Sequence, residues 1–251
     1  MKKVKILITV LTVFSLSFFS CKKAQEIKNT DTLKTSITSF ESDEKVNNTV
    51  PETRKIKLPD PRTDGTVSLE KTLSERRSIR EYRKEPLELS EISQLLWSAQ
   101  GITNKSSGKR TSPSAGALFP LEIYVVAGNV NDLEDGIYKY RTETHELILV
   151  KSGDNREDIY TKVYSREWLK NVPSFLIFAG VYERTTGKYG ERGKRYVHIE
   201  VGHSAQNVLL QAVAMNLGTV VMGAFDDTTL KKVIGMTEDE QPFYIIPVGR
   251  Y

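Results

Sequence analysis

A single cysteine among 251 residues rules out an intrachain disulfide. Histidine is nearly as scarce, with three copies at His145, His198 and His203. His198 and His203 are five apart and so fall on different faces of a helix. They miss the four-residue spacing of a helical zinc pair, and no metal site is expected. Also absent are the Gly-rich phosphate loop ending in Lys-Ser/Thr, the dinucleotide fingerprint of glycines between strand and helix, and the Gly-x-Ser-x-Gly elbow. These gaps set aside loop-type nucleotide hydrolysis, Rossmann dinucleotide binding and α/β-hydrolase chemistry. No internal repeat divides the chain. The 36 basic residues barely exceed the 32 acidic ones, giving +4, and part of that excess is Lys2, Lys3 and Lys5. No long basic face remains for nucleic acid.

What is present begins with "MKKVKILITVLTVFSLSFFSCKK". A basic start, an apolar run from Ile6 to Phe19 and then Ser20-Cys21 describe a secretory signal over residues 1–20. The run is shorter than the roughly 20 residues a bilayer span needs. A lone Cys after a small residue resembles a bacterial lipoprotein cleavage site, although Phe18 and Phe19 depart from its usual pattern. The resemblance implies lipidation of Cys21, export, and anchoring in the bacterial cell envelope, on its periplasmic or surface side. An ordinary signal peptide with Cys21 as an incidental thiol is the alternative. Residues 21–54 are rich in Lys, Glu, Ser, Thr and Asn without sustained periodicity. They read as a flexible tether, since such a segment buries too little apolar surface to offset its ordering entropy. One folded domain is expected over residues 55–251.

Within it, Ser68 caps a helix carrying Leu69 and Leu73, which read as core, and the helix runs into an arginine cluster. Ser90 caps a second helix that Gly101 stops. "LEIYVVAG" is a strand, "GIYKYRTETHELILVKSG" a hairpin, and "PSFLIFAGVY" a buried strand. Residues 154–163 read as one helix. The longest helical pattern starts near Val197 and ends at Gly218, with Val197, Val201, Ala205, Val208, Leu209, Ala212 and Met215 on one face. Such a face must pack on a sheet or on another subunit. "TVVMGAF" is a strand, Asp227 caps a short helix, and "FYIIPVG" is the last strand. Strands and helices so mixed define an α+β class, with helices packed on a mainly antiparallel or mixed sheet.

Four stretches offer chemistry. "SERRSIREYRKEP" holds Arg76, Arg77, Ser78 and Arg80 at a helix end. Guanidinium forks and a hydroxyl suit phosphate, and a solvated basic face is the plain alternative. "TSPSAGALFP" has Pro113, Ser114, Ala115 and Gly116, small enough for close approach of a flat ligand. "GTVVMGAFDD" brackets an apolar strand with glycines, and "PVGRY" ends the chain with Arg250. The stretch "VYERTTGKYGERGKRY" reads either as a mobile lid or as a solvated connector.

In order, "RRSIREY", "TSPSAGALFPLEIYVV", "GIYKY", "VHIEVGHSAQNVLLQAVAMNLGTVVMGAFDD" and "PVGRY" resemble the nitroreductase superfamily, most closely its SagB-type (thiazoline/oxazoline) dehydrogenase branch. The resemblance covers residues 68–251. It implies the FMN-dependent nitroreductase sandwich and a homodimer with FMN at the subunit interface, built around a long central helix. Arg76, Arg77, Ser78 and Arg80 match the segment for the phosphate and the polar flavin edge. Pro113, Ser114, Ala115 and Gly116 match the segment that reaches FMN from the partner. Met222, Gly223 and Ala224 match the stretch beside the isoalloxazine, and Arg250 adds a looser phosphate match. Gln206 and Asn207 match a block on the long helix, with a cofactor role or structural hydrogen bonding both open. The implied activity is ping-pong hydride transfer through flavin N5 to a small-molecule redox substrate. No residue stands out as an obligatory general acid. The donor is NAD(P)H by family habit, or a quinol or redox protein if the chain is exported. A non-catalytic flavin- or ligand-binding lipoprotein on the same scaffold is the alternative function.

Overall fold

The computed structural model describes residues 54–251. The expected signal peptide, Cys21 and the tether through residue 53 lie outside the described residues.

A seven-stranded sheet organises the domain. Its strands are β1 (Lys55–Lys57), β2 (Leu121–Ala127), β3 (Gly136–Arg141), β4 (Glu146–Ser152), β5 (Ser174–Val181), β6 (Gly218–Thr219) and β7 (Glu240–Gly249). Their spatial order is β1-β4-β3-β2-β5-β7-β6, and every ladder is antiparallel. Strands β2 and β5 are apolar on both faces because both faces are covered. Ile123, Val125, Leu176 and Phe178 face one core; Tyr124, Val126, Phe175 and Ile177 face the other. That is the two-residue alternation of a pleated strand serving two layers.

Five helices dress the sheet: α1 (Leu69–Glu75), α2 (Leu89–Gln100), α3 (Glu183–Tyr189), α4 (Arg192–Ala214) and α5 (Asp227–Ile234). The first core takes α2 and the apolar stripe of α4, Val197, Val201, Ala205, Val208, Leu209 and Ala212. The second takes Leu230, Val233 and Ile234 of α5 with Ile159, Val163 and Leu169. The architecture is therefore the expected α+β sandwich. No helix among the described residues is long and apolar enough to cross a membrane.

Several local expectations are corrected. Ser68 does cap α1, accepting from the Lys71 N–H at 3.2 Å. Yet Leu69 and Leu73 are 60% and 53% exposed, because within one chain only Thr72 of that helix is buried. Helix α2 is capped by Glu88 rather than Ser90; Glu88 and Glu91 form a reciprocal capping box, which satisfies two N-terminal donors. Helix α4 starts five residues early and ends at Ala214, because Asn216 turns into the left-handed region at φ 55°. "TVVMGAF" pairs only at Gly218–Thr219; Met222 then makes an isolated bridge with Ile245. Asp226, not Asp227, caps α5 through the Thr229 N–H at 2.7 Å. Residues 154–163 form a short α turn, Arg156–Asp158, and then a π turn, Ile159–Val163, closed by the Tyr164 N–H on the Ile159 carbonyl. The stretch read as lid or connector is α3 and the start of α4. Arg184 holds it by an ion pair with Glu122 and a 3.3 Å bond to the Phe119 carbonyl.

Candidate functional site

The arginine cluster starts where α1 stops. Arg76 is its C-cap, with φ −57° and ψ 120°, so the chain leaves the helix extended. Ser78 then forms a parallel bridge with Thr219, and the Ile79 N–H donates to the Thr219 carbonyl at 3.0 Å. This pairing continues the sheet beyond β6. Gly218 permits it: a Cβ there would lie 2.8 Å from the Ile79 side chain. Ile79 packs inward, and the Tyr82 hydroxyl donates to the Ile79 carbonyl at 2.8 Å. Arg77 and Arg80 are exposed beside it and Arg76 is half-buried. Arg77 folds back to donate to the Ser74 and Arg76 carbonyls at 2.9 and 2.8 Å. Among the described residues, no carboxylate pairs with Arg76, Arg77 or Arg80. Three cations on a fixed backbone, with the Ser78 hydroxyl between them, are a donor set that fits a phosphate monoester.

Met222, Gly223 and Ala224 follow the same edge, three to five residues after Thr219. Met222 and Ile245 exchange two backbone bonds of 2.9 Å, which fixes Met222 in the second core and leaves Gly223 and Ala224 exposed. The structure therefore brings the arginine segment and this stretch together on one edge. Arg250 is differently employed. Its guanidinium forks onto Glu91 at 2.8 and 3.0 Å, and its carbonyl accepts from the Arg83 N–H at 3.0 Å. It anchors the downstream end of the arginine segment to α2.

Pro113, Ser114, Ala115 and Gly116 lie elsewhere. Ser112, just before them, donates to the Ala99 carbonyl at 2.7 Å. Asn207 of α4 donates to the Thr111 carbonyl and to Ser112 Oγ at 3.3 and 3.1 Å. Asn207 thus serves the segment's anchorage, whereas Gln206 is exposed. The turn itself is contorted: Gly116, Ala117 and Phe119 have φ of 64°, 54° and 45°. A Cβ on Gly116 would lie 2.8 Å from Tyr189 Oη and 3.0 Å from Lys188 Nζ, so α3 presses on this turn. Pro113, Ser114 and Ala115 face Tyr196, Ile199, Glu200 and His203 across a cleft of about 260 Å³.

The two groups meet different ends of α4. The turn faces Ile199; α1 faces Leu210 and Ala214. Eleven residues of helix from Ile199 to Leu210 span roughly 16 Å. Each segment lies beside exposed apolar side chains, Leu69 and Leu73 at α1 and Ile199 at the turn, and α1 shares a cleft with Thr111 and Asn207, which anchor that turn.

One group was missed in the sequence. Glu200 is 3% exposed beside the apolar stripe of α4, and its Oε1 has no hydrogen-bond partner among the described residues. Burial pushes its carboxyl up to about 7, against the opposing pull of Ser114, Arg110 and Gln100. A glutamate flanking that stripe, about 60° from Val197 on the helical wheel, was the available signal. No cluster of metal-ligating side chains occurs among the described residues.

Helices thus cover both faces of an antiparallel sheet, with the arginine segment at its edge and the Pro113–Gly116 turn against α4. Residues 73–250 match the Nitroreductase family, and the chain belongs to that family. A Methanocaldococcus jannaschii protein named as a nitroreductase, MJ1384, is 43% identical over 199 residues, 79% of this chain and 98% of that protein. The microcin B17-processing protein McbC of Escherichia coli is 26% identical over 161 residues, 62% of this chain and 59% of that protein. Among solved structures, a nitroreductase of Ralstonia eutropha superposes with a TM-score of 0.70 at 30% identity, covering 78% of this chain and 89% of that one. The chain is a nitroreductase-family oxidoreductase, and its fold is confirmed by these neighbours.

Proposed function

We propose that the chain is an FMN-dependent oxidoreductase of the SagB-type dehydrogenase branch, working as a homodimer held at the bacterial envelope through Cys21. The observation that carries the cofactor is the cluster of Arg76, Arg77 and Arg80 beside a fixed backbone bridge, which no carboxylate pairs with among the described residues. Family members generally bind flavin and are typically homodimers, which supports the reading. The similarity to a microcin-processing protein supports the dehydrogenase branch. The exposed Leu69, Leu73 and Ile199 beside the two segments support the dimer, in which a second copy would complete each site from its own Pro113–Gly116 turn.

When bound, FMN supplies hydride exchange with a small redox substrate. This chain's residues would do the rest. Arg76, Arg77, Arg80 and Ser78 hold the phosphate, and the Thr219 ladder keeps them from relaxing. Gly223 and Ala224 leave room for a flat ring to approach the edge strand. Arg250 acts at one remove, by fixing Arg83. An absorbance spectrum of the purified chain lacking residues 1–20 tests the reading. Stoichiometric FMN bands are expected, bleached by a nicotinamide, quinol or protein reductant. A colourless protein that also refuses added FMN would overturn it.

A further inference from the structure

Glu200 is a buried acid whose Oε1 makes no hydrogen bond among the described residues, although Ser114 and Gln100 lie near enough to favour its charged form. It lines a 260 Å³ cleft with Pro113, Ser114, Ala115, Tyr196, Ile199 and His203. Gln100 Nε2 and Arg110 Nε are likewise without a partner among the described residues. A structural glutamate would be expected to spend both oxygens, because an unmade buried hydrogen bond costs about 1–3 kcal/mol. Arg110 attracts the carboxylate but makes no hydrogen bond to it among the described residues. Its guanidinium lies 4.1 Å from the centroid of the Phe119 ring and donates to Glu143 at 3.0 Å and to Gln100 at 3.3 Å. What remains is a carboxyl able to hold or release a proton near neutrality, facing a cleft.

We propose that Glu200 is the proton-transfer residue of this cleft, exchanging with a small weakly acidic substrate the proton that accompanies hydride transfer. The inference rests on the flavin reading above. In the oxidising direction the substrate's C–H bond breaks and its electron pair leaves as hydride for the flavin. The proton of the adjacent N–H or O–H passes to the Glu200 carboxylate, and a C=N or C=O bond forms. Water then receives the proton. In the reducing direction neutral Glu200 returns it to the heteroatom. His203, three residues on along the same helix, lines the cleft and is exposed to solvent.

The charged and titratable groups around Glu200 come from every element packed there. Tyr196 and His203 share its helix. Arg110 approaches from the strand Lys109–Arg110 and is lowered chiefly by burial. Lys188 and Tyr189 of α3 reach the Gly116 turn. Gln100 of α2 and Ser114 are neutral. Arg110 favours the charged carboxylate and burial the neutral acid, which is the balance a proton carrier needs.

The test compares wild type, Glu200→Gln and Glu200→Asp. Infrared difference titration between about pH 5 and 9 reads the carboxyl itself, with or without flavin. A protonated-carboxyl band is expected to titrate near neutrality, vanish in Glu200→Gln and persist, displaced, in Glu200→Asp. Chemically reduced holoprotein is also reoxidised by a nitroaromatic probe. Glu200→Gln should slow that step on the order of 100-fold, and Glu200→Asp should restore part of it. A carboxyl titrating in the ordinary range, or reoxidation within about twofold of wild type in Glu200→Gln, overturns the proposal. Should Glu200→Gln fail to fold, a band at its wild-type position in Glu200→Asp overturns it instead. A protein that binds no flavin defeats the cofactor reading, while the titration still decides the carboxyl.

Discussion

Ser78 and Thr219 form a parallel bridge, and the Ile79 N–H closes it on the Thr219 carbonyl at 3.0 Å. A helix C-terminus is thereby stitched to the edge of the sheet, which fixes the backbone that carries Arg77 and Arg80. Under the flavin reading proposed above, that fixed backbone is what would turn a solvated basic run into a phosphate cradle.

Reversing two of those charges separates cofactor binding from folding. Arg77→Glu with Arg80→Glu removes charge-assisted donors and adds repulsion, so FMN affinity should fall on the order of 100-fold or more. Both residues are exposed, and circular dichroism should show an unchanged fold. Unchanged flavin content in the purified variant would show that the phosphate lies elsewhere.

Leu69 and Leu73 are read most naturally against a second copy. They are four apart on α1, yet 60% and 53% exposed in one chain. Replacing both with Lys should leave the chain's own core intact and weaken self-association by about 100-fold or more, since each buried leucine contributes about 1.5–3 kcal/mol. Light scattering across a dilution series reads the effect. A dimer of unaltered affinity would place the interface away from α1.

Much of the architecture is legible because it rests on local pattern. The continuous apolar runs of β2 and β5, the stripe on α4 and the glycine after α2 each follow from period and punctuation. The arginine segment is legible for the same reason, as an excess of one chemistry at a helix end. Elsewhere the determinant is tertiary. Leu69 and Leu73 have core spacing but no cover among the described residues. The run 219–225 is apolar, yet only Gly218–Thr219 and Met222 find partners on β7. Glu200 reads as one polar letter on a helix. Its burial comes from the Ser114 turn, almost ninety residues earlier, which asparagine and serine hydrogen bonds fold over it.

Asn207 is central to that arrangement. Its amide bonds to Thr111 and Ser112 tether the turn to α4. Asn207→Ala should cost about 1–2 kcal/mol, lowering the melting temperature by about 2–8 °C. Loss of the tether should also loosen the Pro113–Gly116 turn, so amide exchange there should accelerate more than in β5. Uniform acceleration would mean the bonds serve the fold alone.

Glu240 predicts acid sensitivity. Burial alone would raise its carboxyl, but Lys139 at 2.5 Å, Tyr124 at 2.7 Å and the Thr237 N–H hold it below the usual carboxylate range. The stability it confers is present above its unfolded value of about 4.5 and is lost as pH falls through the lower folded value. Glu240→Gln should cost about 2–3 kcal/mol at neutral pH, since Lys139 keeps Glu122 at 3.2 Å. The variant's denaturation midpoint should then fall less steeply below pH 4.5 than that of wild type.

Glu200 carries the opposite sign. Its folded value is raised from 4.5 to about 7, so between those values the folded chain holds more protons than the unfolded one. The contribution is therefore complete below about pH 4.5 and is lost as pH climbs through about 7. The full swing is of the order of 3 kcal/mol, since each unit is worth about 1.36 kcal/mol and the group is almost wholly buried. Denaturant unfolding of wild type and Glu200→Gln across this range should give curves that converge at the acid end. Toward neutrality the wild type should decline relative to the variant, because the neutral amide never has to ionise. Parallel curves would mean that Glu200 ionises as readily in the folded chain as in water, leaving the cleft without its proton carrier.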